Sequence, residues 1–185
     1  NCLVIHFNSY TFDALLKYLG LDKKLAYNKF VPNKIFNLKK ELQMKFLSGV
    51  IQSDGAVFVG KSRGKDSKPI CGHTTVSKKL MEGIVFLYRQ LGILPSIIKS
   101  KAKEHYYKNV LIKSNYDKYD ILIGSIGQLK KAKPIWQDHK NHKILESFIN
   151  KAEKPGDRRA IIEVNNDFQA VKILNVENVT RTDKF

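Results

Sequence analysis

A segment near residue 50 combines the apolar end of a helix with a carboxylate and a following glycine. Leu47 and Ile51 can bury one face of this helix, while Ser48 and Gly49 are small enough for another helix to approach closely. Asp54 then falls at the C-terminal end of the helix, where the helix dipole disfavours a negative charge. A divalent cation beside Asp54 would explain a carboxylate there, and oxygen ligands suit Mg²⁺. The segment therefore predicts a magnesium-binding carboxylate.

A second group of residues with possible chemistry lies near residue 140. Asp138, His139 and His142 could indicate a metal site or a nuclease of the HNH type. The rest of the HNH pattern is missing around them, so we favour a solvated basic helix. Cys2 and Cys71 are far apart and lack paired spacing, which predicts neither a zinc site nor a disulfide framework.

The charge of the chain indicates its partner. There are 33 Lys and Arg residues against 17 Asp and Glu, giving a net charge of +16 spread over the whole length. Such an excess destabilises a folded protein through self-repulsion, and a polyanion usually offsets it. A basic thermophile or ribosome-associated surface is the alternative. No apolar run is long enough to span a membrane and the start does not resemble a signal peptide, so we expect no membrane partner and an intracellular, cytoplasmic protein.

The elements that position Asp54 follow from periodicity and capping signals. We predict a strand over 2–7, a helix over 11–19 closed by Gly20, and an irregular link to Phe36. Asn37 is the expected N-cap of a helix over 38–52 that carries the carboxylate.

Two hairpins and two further helices complete the predicted unit. The first hairpin pairs 56–61 with 70–76, and Ser77 begins a helix that Gly92 ends. The second hairpin pairs 93–100 with 106–113, and a helix follows over 116–129. The predicted order from residue 38 is therefore helix, strand, strand, helix, strand, strand, helix.

Residues 47–55 resemble the motif of the LAGLIDADG homing endonucleases. Leu47-Ser-Gly-Val-Ile-Gln-Ser-Asp-Gly55 matches that motif at its Leu, Gly, Ile, second Asp and final Gly. Gln52 replaces the first Asp, which in the family is usually not the metal ligand. The flanks resemble intein-associated members at Leu19-Gly20, Lys29, Val31-Pro32, Thr75-Val-Ser-Lys-Lys-Leu80 and Leu91-Gly-Ile93.

This resemblance, which covers about residues 1–150, implies an α+β fold. Family members form an αββαββα saddle whose antiparallel sheet binds DNA in the major groove, and two such units pack through their motif helices. Here Leu47, Ser48, Gly49 and Ile51 would form the contact between repeats. The second repeat would be a missing N-terminal half or a second chain.

The resemblance also implies a reaction, the Mg²⁺-dependent hydrolysis of phosphodiester bonds in double-stranded DNA with a long recognition site. Asp54, together with Gly55, would hold the metal. Lys131 and Lys133 are the expected catalytic lysines, with Lys130 a lesser candidate. The residues expected to contact DNA lie on the hairpins: Lys61, Ser62, Arg63, Lys65, Lys99, Lys101, Tyr107 and Asn109.

The chain divides, on this interpretation, into four parts. Residues 1–20 would end a first repeat, 21–37 would be a linker, 38–154 would be the endonuclease repeat, and 155–185 would be a β-rich segment of intein (Hint-like) type. The turn at Pro155-Gly156 marks the last boundary. An ordinary C-terminal hairpin is the alternative for the last part. An intein-encoded enzyme would belong to a microbial or viral host.

Two further function classes remain open from the sequence. One is a binding-only descendant of the same fold, either an RNA maturase or a DNA-binding regulator. The other is a basic structural protein of a ribonucleoprotein particle. Asp54 favours the enzyme, because a protein that only binds phosphates does not need a carboxylate beside them.

Overall fold

A computed structural model describes residues 9–62, 65–107, 110–151, 161–163 and 169–171. Helix α1 (Tyr10–Tyr18) is followed by a 3-10 turn (Ala26–Asn28) and a short helix α2 (Asn33–Phe36). The main unit then runs α3 (Lys40–Asp54), β1 (Gly55–Ser62), β2 (Lys65–Thr75), α4 (Lys78–Gln90) and β3 (Ser96–Ser100).

The remaining elements include a hairpin that leaves the main unit and returns to it. Strands β4 (Glu104–Tyr107) and β5 (Val110–Lys113) pair with each other, and β6 (Lys118–Ile123) follows. Helices α5 (Ile126–Lys131), α6 (Lys133–Trp136) and α7 (His142–Lys151) come next, and β7 (Ile161–Glu163) pairs with β8 (Gln169–Val171).

The central sheet has four antiparallel strands in the order β1-β2-β6-β3. Strand β2 pairs with β1 through Gly55 opposite His73, and with β6 through Cys71 opposite Ile123. Apart from the β4–β5 hairpin, the chain therefore has the predicted αββαββα order, and the α+β fold is confirmed.

The second predicted hairpin was wrong in its partner strand. Strand β3 pairs with β6, not with 106–113, and β6 occupies residues that were predicted to be helical. Ile121 and Ile123 are buried two residues apart, as a strand requires, while β4 and β5 form their own two-stranded sheet. The predicted helix over 116–129 is therefore replaced by β6 and the shorter helix α5.

The capping signals in the sequence predicted α4 correctly but did not give the start of α3. The Ser77 hydroxyl accepts a hydrogen bond from the Leu80 N–H at 3.2 Å, and Gly92 ends α4 with φ of +70°. Asn37 does not cap α3, because it ends α2, and α3 begins two residues beyond the predicted start.

The core lies between one face of the sheet and the helices packed on it. Val57, Cys71 and Ile121 point from the sheet toward α3, α4 and α7, and Val59 packs against the same core. Trp136 is buried under this layer and donates from Nε1 to the Leu129 carbonyl oxygen at 2.8 Å. No helix among the described residues is long and apolar enough to cross a membrane.

The ends of the chain lie largely outside the described residues. The predicted strand over 2–7 and the boundary near 155 belong there, as do residues 172–185. Val171 pairs with Ile161 in a two-stranded sheet distinct from the central one. The assignment of residues 155–185 to a splicing domain stays a prediction.

Candidate active site

The carboxylate of Asp54 sits where α3 passes directly into β1. Gly55 is both the cap of the helix and the first residue of the strand, and its N–H donates to the Ile51 carbonyl. A Cβ at Gly55 would lie 2.5 Å from the Ile51 Cα and O atoms, which real side chains do not tolerate. The glycine therefore allows the helix end and the strand to approach closely, and Asp54 is held, exposed, at their junction.

Helix α3 is anchored by the residues that were predicted to contact a second repeat. Leu47 and Ile51 are fully buried in the core of this unit, and Ser48 is buried and accepts a hydrogen bond from Gln52 Nε2 at 2.9 Å. Gly49 is exposed, and nothing lies within 4 Å of its Cβ direction. Of the four predicted interface residues, only Gly49 is placed on an open helix face.

A cleft of about 280 Å³ lies beside Asp54. His73 and Lys29 line it together with the carboxylate, and Lys118 lines its rim. The register of the sheet explains His73, because it lies opposite Gly55 and so next to the end of α3. The cleft thus brings one carboxylate, one imidazole and two ammonium groups together.

The His73 ring is buried without a hydrogen-bond partner for either nitrogen among the described residues. Burial lowers the pKa of His73 below its usual value and the charge of Lys29 adds to that change, while the charge and the main chain of Asp54 oppose it. Buried polar groups of this kind normally find a partner, so an unpaired imidazole beside a cleft is a functional signal. The sequence analysis missed His73 because its proximity to Asp54 depends on strand pairing.

Lys29 is held in place through its main chain. The Ser77 hydroxyl donates to the Lys29 carbonyl oxygen at 2.6 Å while it also caps α4. The preceding turn is fixed by Tyr27, whose ring stacks on Tyr116 at a centroid distance of 4.7 Å. Val31, two residues after Lys29, is buried in the core. The linker segment therefore delivers a lysine to the cleft.

The predicted catalytic lysines are placed elsewhere. Lys133 Nζ bonds Glu146 Oε1 at 2.6 Å, and this bond lowers the pKa of Glu146. Neither Lys131 nor Lys133 lines the clefts beside Asp54. Lys29 and Lys118 are the lysines that the fold brings to the carboxylate.

A second cleft of about 220 Å³ lies on the other side of the α3–β1 junction, between Gly55 and the loop at Asp138. His139 is buried and accepts from the Asn141 N–H at 3.1 Å, and Asn141 Nδ2 donates to the Val57 carbonyl. The loop is thus pinned to β1, and the expectation that this stretch is solvated was wrong for His139. No group of three metal-binding side chains exists among the described residues, so the alternative metal site does not form in this part of the chain.

The residues predicted to contact DNA occupy three places. Lys61, Ser62 and Lys65 belong to the far end of the β1–β2 hairpin, where Ser62 pairs with Lys65, while Arg63 and Asn109 lie outside the described residues. Tyr107 belongs to the separate β4–β5 hairpin.

The third place is the base of that hairpin, where Lys99 and Lys101 are exposed. Lys99 Nζ lies 2.8 Å from Asp117 Oδ2, and this contact raises the pKa of Lys99 and lowers that of Asp117. Asp117 also accepts from the Ala102 N–H at 3.0 Å. Lys99 is therefore already in an ion pair with Asp117 when it contacts a phosphate.

One carboxylate fits the way Mg²⁺ is bound when phosphates and waters complete its coordination. The exposed Asp54 can supply that single oxygen ligand, and the cationic groups in the cleft suit an anionic substrate. Four antiparallel strands, helices on one face and a carboxylate at the first helix–strand junction define the αββαββα class of domain.

Comparison with known proteins agrees with this class. The family model described as a LAGLIDADG-like domain matches residues 41–127, from α3 into α5. The homothallic switching endonuclease of Saccharomyces cerevisiae is 34% identical over 86 residues, which are 46% of this chain and 14% of the relative. Residues 41–127 are therefore a LAGLIDADG-like domain, and part of this domain type's similarity is to a protein named an endonuclease.

Two further relatives are similar to this chain over a small part of their own length. An uncharacterised protein of Methanocaldococcus jannaschii is 32% identical over 164 residues, covering 84% of this chain and 16% of the relative. The replicative DNA helicase DnaB of a Nostoc species is 30% identical over 119 residues, covering 60% of this chain and 13% of the relative. The chain thus spans at most 16% of the length of these relatives.

Proposed function

We propose that this chain is one repeat of a site-specific, metal-dependent endonuclease that hydrolyses double-stranded DNA. The observation that carries the proposal is the exposed Asp54 at the α3–β1 junction, beside a cleft that also holds Lys29 and His73. A carboxylate among cations suits a metal ion and a phosphodiester together. A protein that only bound phosphate would gain affinity from losing this negative charge.

Each residue of the cleft has a separate task in this proposal. Asp54 would provide one ligand to Mg²⁺, and the bound ion would supply an activated water and offset charge on the leaving oxygen. Lys29 and Lys118 hold the phosphate by charge. His73 hydrogen-bonds water or phosphate, and its burial keeps that water ordered. We assign the lysine role to Lys29 and Lys118 in place of Lys131 and Lys133, because Lys29 and Lys118 are the lysines, among the residues that the structure describes, that line the cleft.

The second carboxylate that such a reaction needs comes from a second repeat. Helix α3 offers an open face for it around Gly49, where Leu42 and Lys45 are also exposed. The missing side chain at Gly49 allows a second helix to approach without displacing any atom. The partner repeat belongs to a longer form of this protein or to a second chain.

An intein is the proposed genetic context. Residues of this chain match a small part of a protein named a replicative helicase and a small part of a protein named an endonuclease. A segment shared by proteins with such different names behaves as an inserted module. Residues 155–185 would then begin the return to a β-rich splicing domain.

The decisive experiment compares Asp54→Asn with the unchanged protein on DNA carrying its target. The variant loses Mg²⁺-dependent cleavage, because the amide cannot replace the carboxylate as a metal ligand. Its DNA affinity stays equal or rises, because a charge that repels phosphate is gone. Glu82→Gln, which removes an exposed carboxylate on α4, is the matched control and keeps both activities.

Cleavage that survives in Asp54→Asn would exclude this carboxylate from the reaction. Specific binding to DNA or RNA without cleavage, measured on the longest form of the protein with Mg²⁺ present, would instead identify a binding-only descendant. Removal of Mg²⁺ by EDTA abolishes cleavage by the unchanged protein and leaves binding measurable.

A further inference from the structure

The face of the central sheet that the helices leave open carries an apolar strip. It takes one residue from each strand and runs diagonally across all four: Phe58, Ile70, Leu122 and Ile98. Phe58 is 43% exposed and Ile98 is 50% exposed, while Ile70 and Leu122 are half-buried. The alternation of the strands explains this, since Val57, Cys71 and Ile121 occupy the opposite face.

Gly72 leaves the space that one side chain of the strip, Leu122, occupies. A Cβ at this position would lie 2.5 Å from Leu122 Cδ2 and 2.8 Å from the Ile121 carbonyl oxygen. Leu122 therefore lies across Gly72 and closes the gap between the strands. The result is a continuous low apolar surface rather than scattered exposed side chains.

The surroundings of the strip indicate what covers it. Lys118, which lies opposite Ser100 on the same face, is exposed and pairs with Asp120, Lys101 is exposed just beyond β3, and the chain as a whole carries a charge of +16. An occupant must therefore offer negative charge at its edges and apolar groups between them. The major groove of DNA has this arrangement, with phosphates along both edges and thymine 5-methyl groups as the apolar groups inside.

We propose that this apolar strip recognises thymine methyl groups in the major groove of the target DNA. The inference rests on the proposed function and adds a chemical preference to it: thymines occupy the target positions that face Phe58 and Ile98. Phe58 is four residues beyond Asp54, a distance of about 13 Å along a strand, or about four base pairs. The thymines that Phe58 recognises therefore lie about four base pairs from the cleaved bond.

The test begins with duplexes that the 185-residue chain selects from a randomised library in EDTA, where metal-dependent cleavage is blocked. Each thymine of a selected duplex is then replaced by deoxyuridine, which removes only the 5-methyl group. At the positions facing the strip, affinity falls about fourfold for each methyl group lost. At the other thymines affinity is unchanged.

Substitutions in the strip connect this effect to particular side chains. Phe58→Thr and Ile98→Thr keep strand propensity and remove the apolar contact, so thymine and deoxyuridine duplexes bind them equally at the position concerned. Phe86→Thr on α4 and Ile144→Thr on α7 are matched controls, with side chains 51% and 58% exposed away from the sheet. Both controls retain the fourfold difference, and thermal unfolding confirms that all four variants fold.

Three results would overturn the inference. Selected duplexes that bind equally with thymine or deoxyuridine at every position show that no methyl group is read. A difference that persists in both Phe58→Thr and Ile98→Thr assigns the reading to other residues. Selection of no duplex at all, by the 185-residue chain and by the longest form of the protein alike, contradicts the proposed function itself, and the apolar strip then has no DNA to recognise.

Discussion

At the scale of single residues, lysines with the same chemistry have different surroundings in and near the candidate site. Lys29 and Lys133 are both lysines near carboxylates, yet Lys133 bonds Glu146 on α7 while Lys29 faces the cleft of Asp54. The family resemblance favoured Lys131 and Lys133. The folded chain brings Lys29, which precedes the motif, to the carboxylate instead.

The prediction at this scale concerns Ser77, because its hydroxyl both caps α4 and bonds the main chain of Lys29. We expect Ser77→Ala to lower the free energy of unfolding by about 2 kcal/mol, through loss of the α4 cap and of the bond to the Lys29 carbonyl. Ser77→Thr keeps the hydroxyl and recovers most of that loss. Urea denaturation measures both variants.

The same pair of variants tests how Lys29 is positioned. Ser77→Ala lowers the rate of cleavage at saturating DNA more than it weakens DNA binding, because Lys29 shifts while the sheet is unaffected. An Ala variant with unchanged urea midpoint and unchanged cleavage rate would show that the hydroxyl has neither role.

At the scale of elements, the α3–β1 junction and the pairing of β6 define the site. The helix signal over 116–129 was misleading, since Leu122, Ile126 and Leu129 also fit a helical repeat. Strand pairing decided the outcome, because β2 and β3 each need hydrogen-bond partners on the side that β6 occupies. Unpaired backbone groups in the middle of a sheet would cost more than the helix could offset.

Two glycines of the motif make opposite predictions at this scale. Gly55→Ala lowers the free energy of unfolding by about 1–3 kcal/mol, because its Cβ would strike the Ile51 main chain. Gly49→Ala raises it by about 0.5–1 kcal/mol in the free chain, because alanine favours a helix and meets no neighbour. Thermal or urea unfolding of the free chain distinguishes them.

Gly49→Ala also tests the proposed contact between repeats. The added methyl group stabilises the free chain and weakens its association with a second repeat, which sedimentation measures across a concentration series. Equal association of the Gly49→Ala variant and the unchanged protein would place the contact on another face.

At the scale of the whole molecule, net charge dominates the behaviour of the chain. An excess of 16 positive charges, with exposed lysines beside the cleft and at the end of the sheet, suits a long polyanion. The covered face of the sheet supplies stability, whereas the open face supplies a surface for binding. The two faces differ because alternate residues of each strand point in opposite directions.

DNA binding should therefore depend strongly on salt. If roughly eight phosphates are contacted, log K falls by about 7 per tenfold increase in salt, since each contact releases counterions. Titrations in EDTA over a range of KCl concentrations measure the slope, with a duplex of unrelated sequence as control. A slope shallower than about −2 would mean that the positive charge is not arranged for DNA.

The sequence by itself determined the features that depend on neighbouring residues and on overall charge. The motif over 47–55, the cap at Ser77, the helix end at Gly92 and the preference for a polyanion need no knowledge of distant contacts. Only the tertiary structure decided that His73 and Lys29 accompany Asp54, that Lys133 turns to Glu146, and that Phe58 and Ile98 share an open face. These relations join residues 13 to 40 positions apart, and they arise from strand register and packing, which local periodicity does not encode.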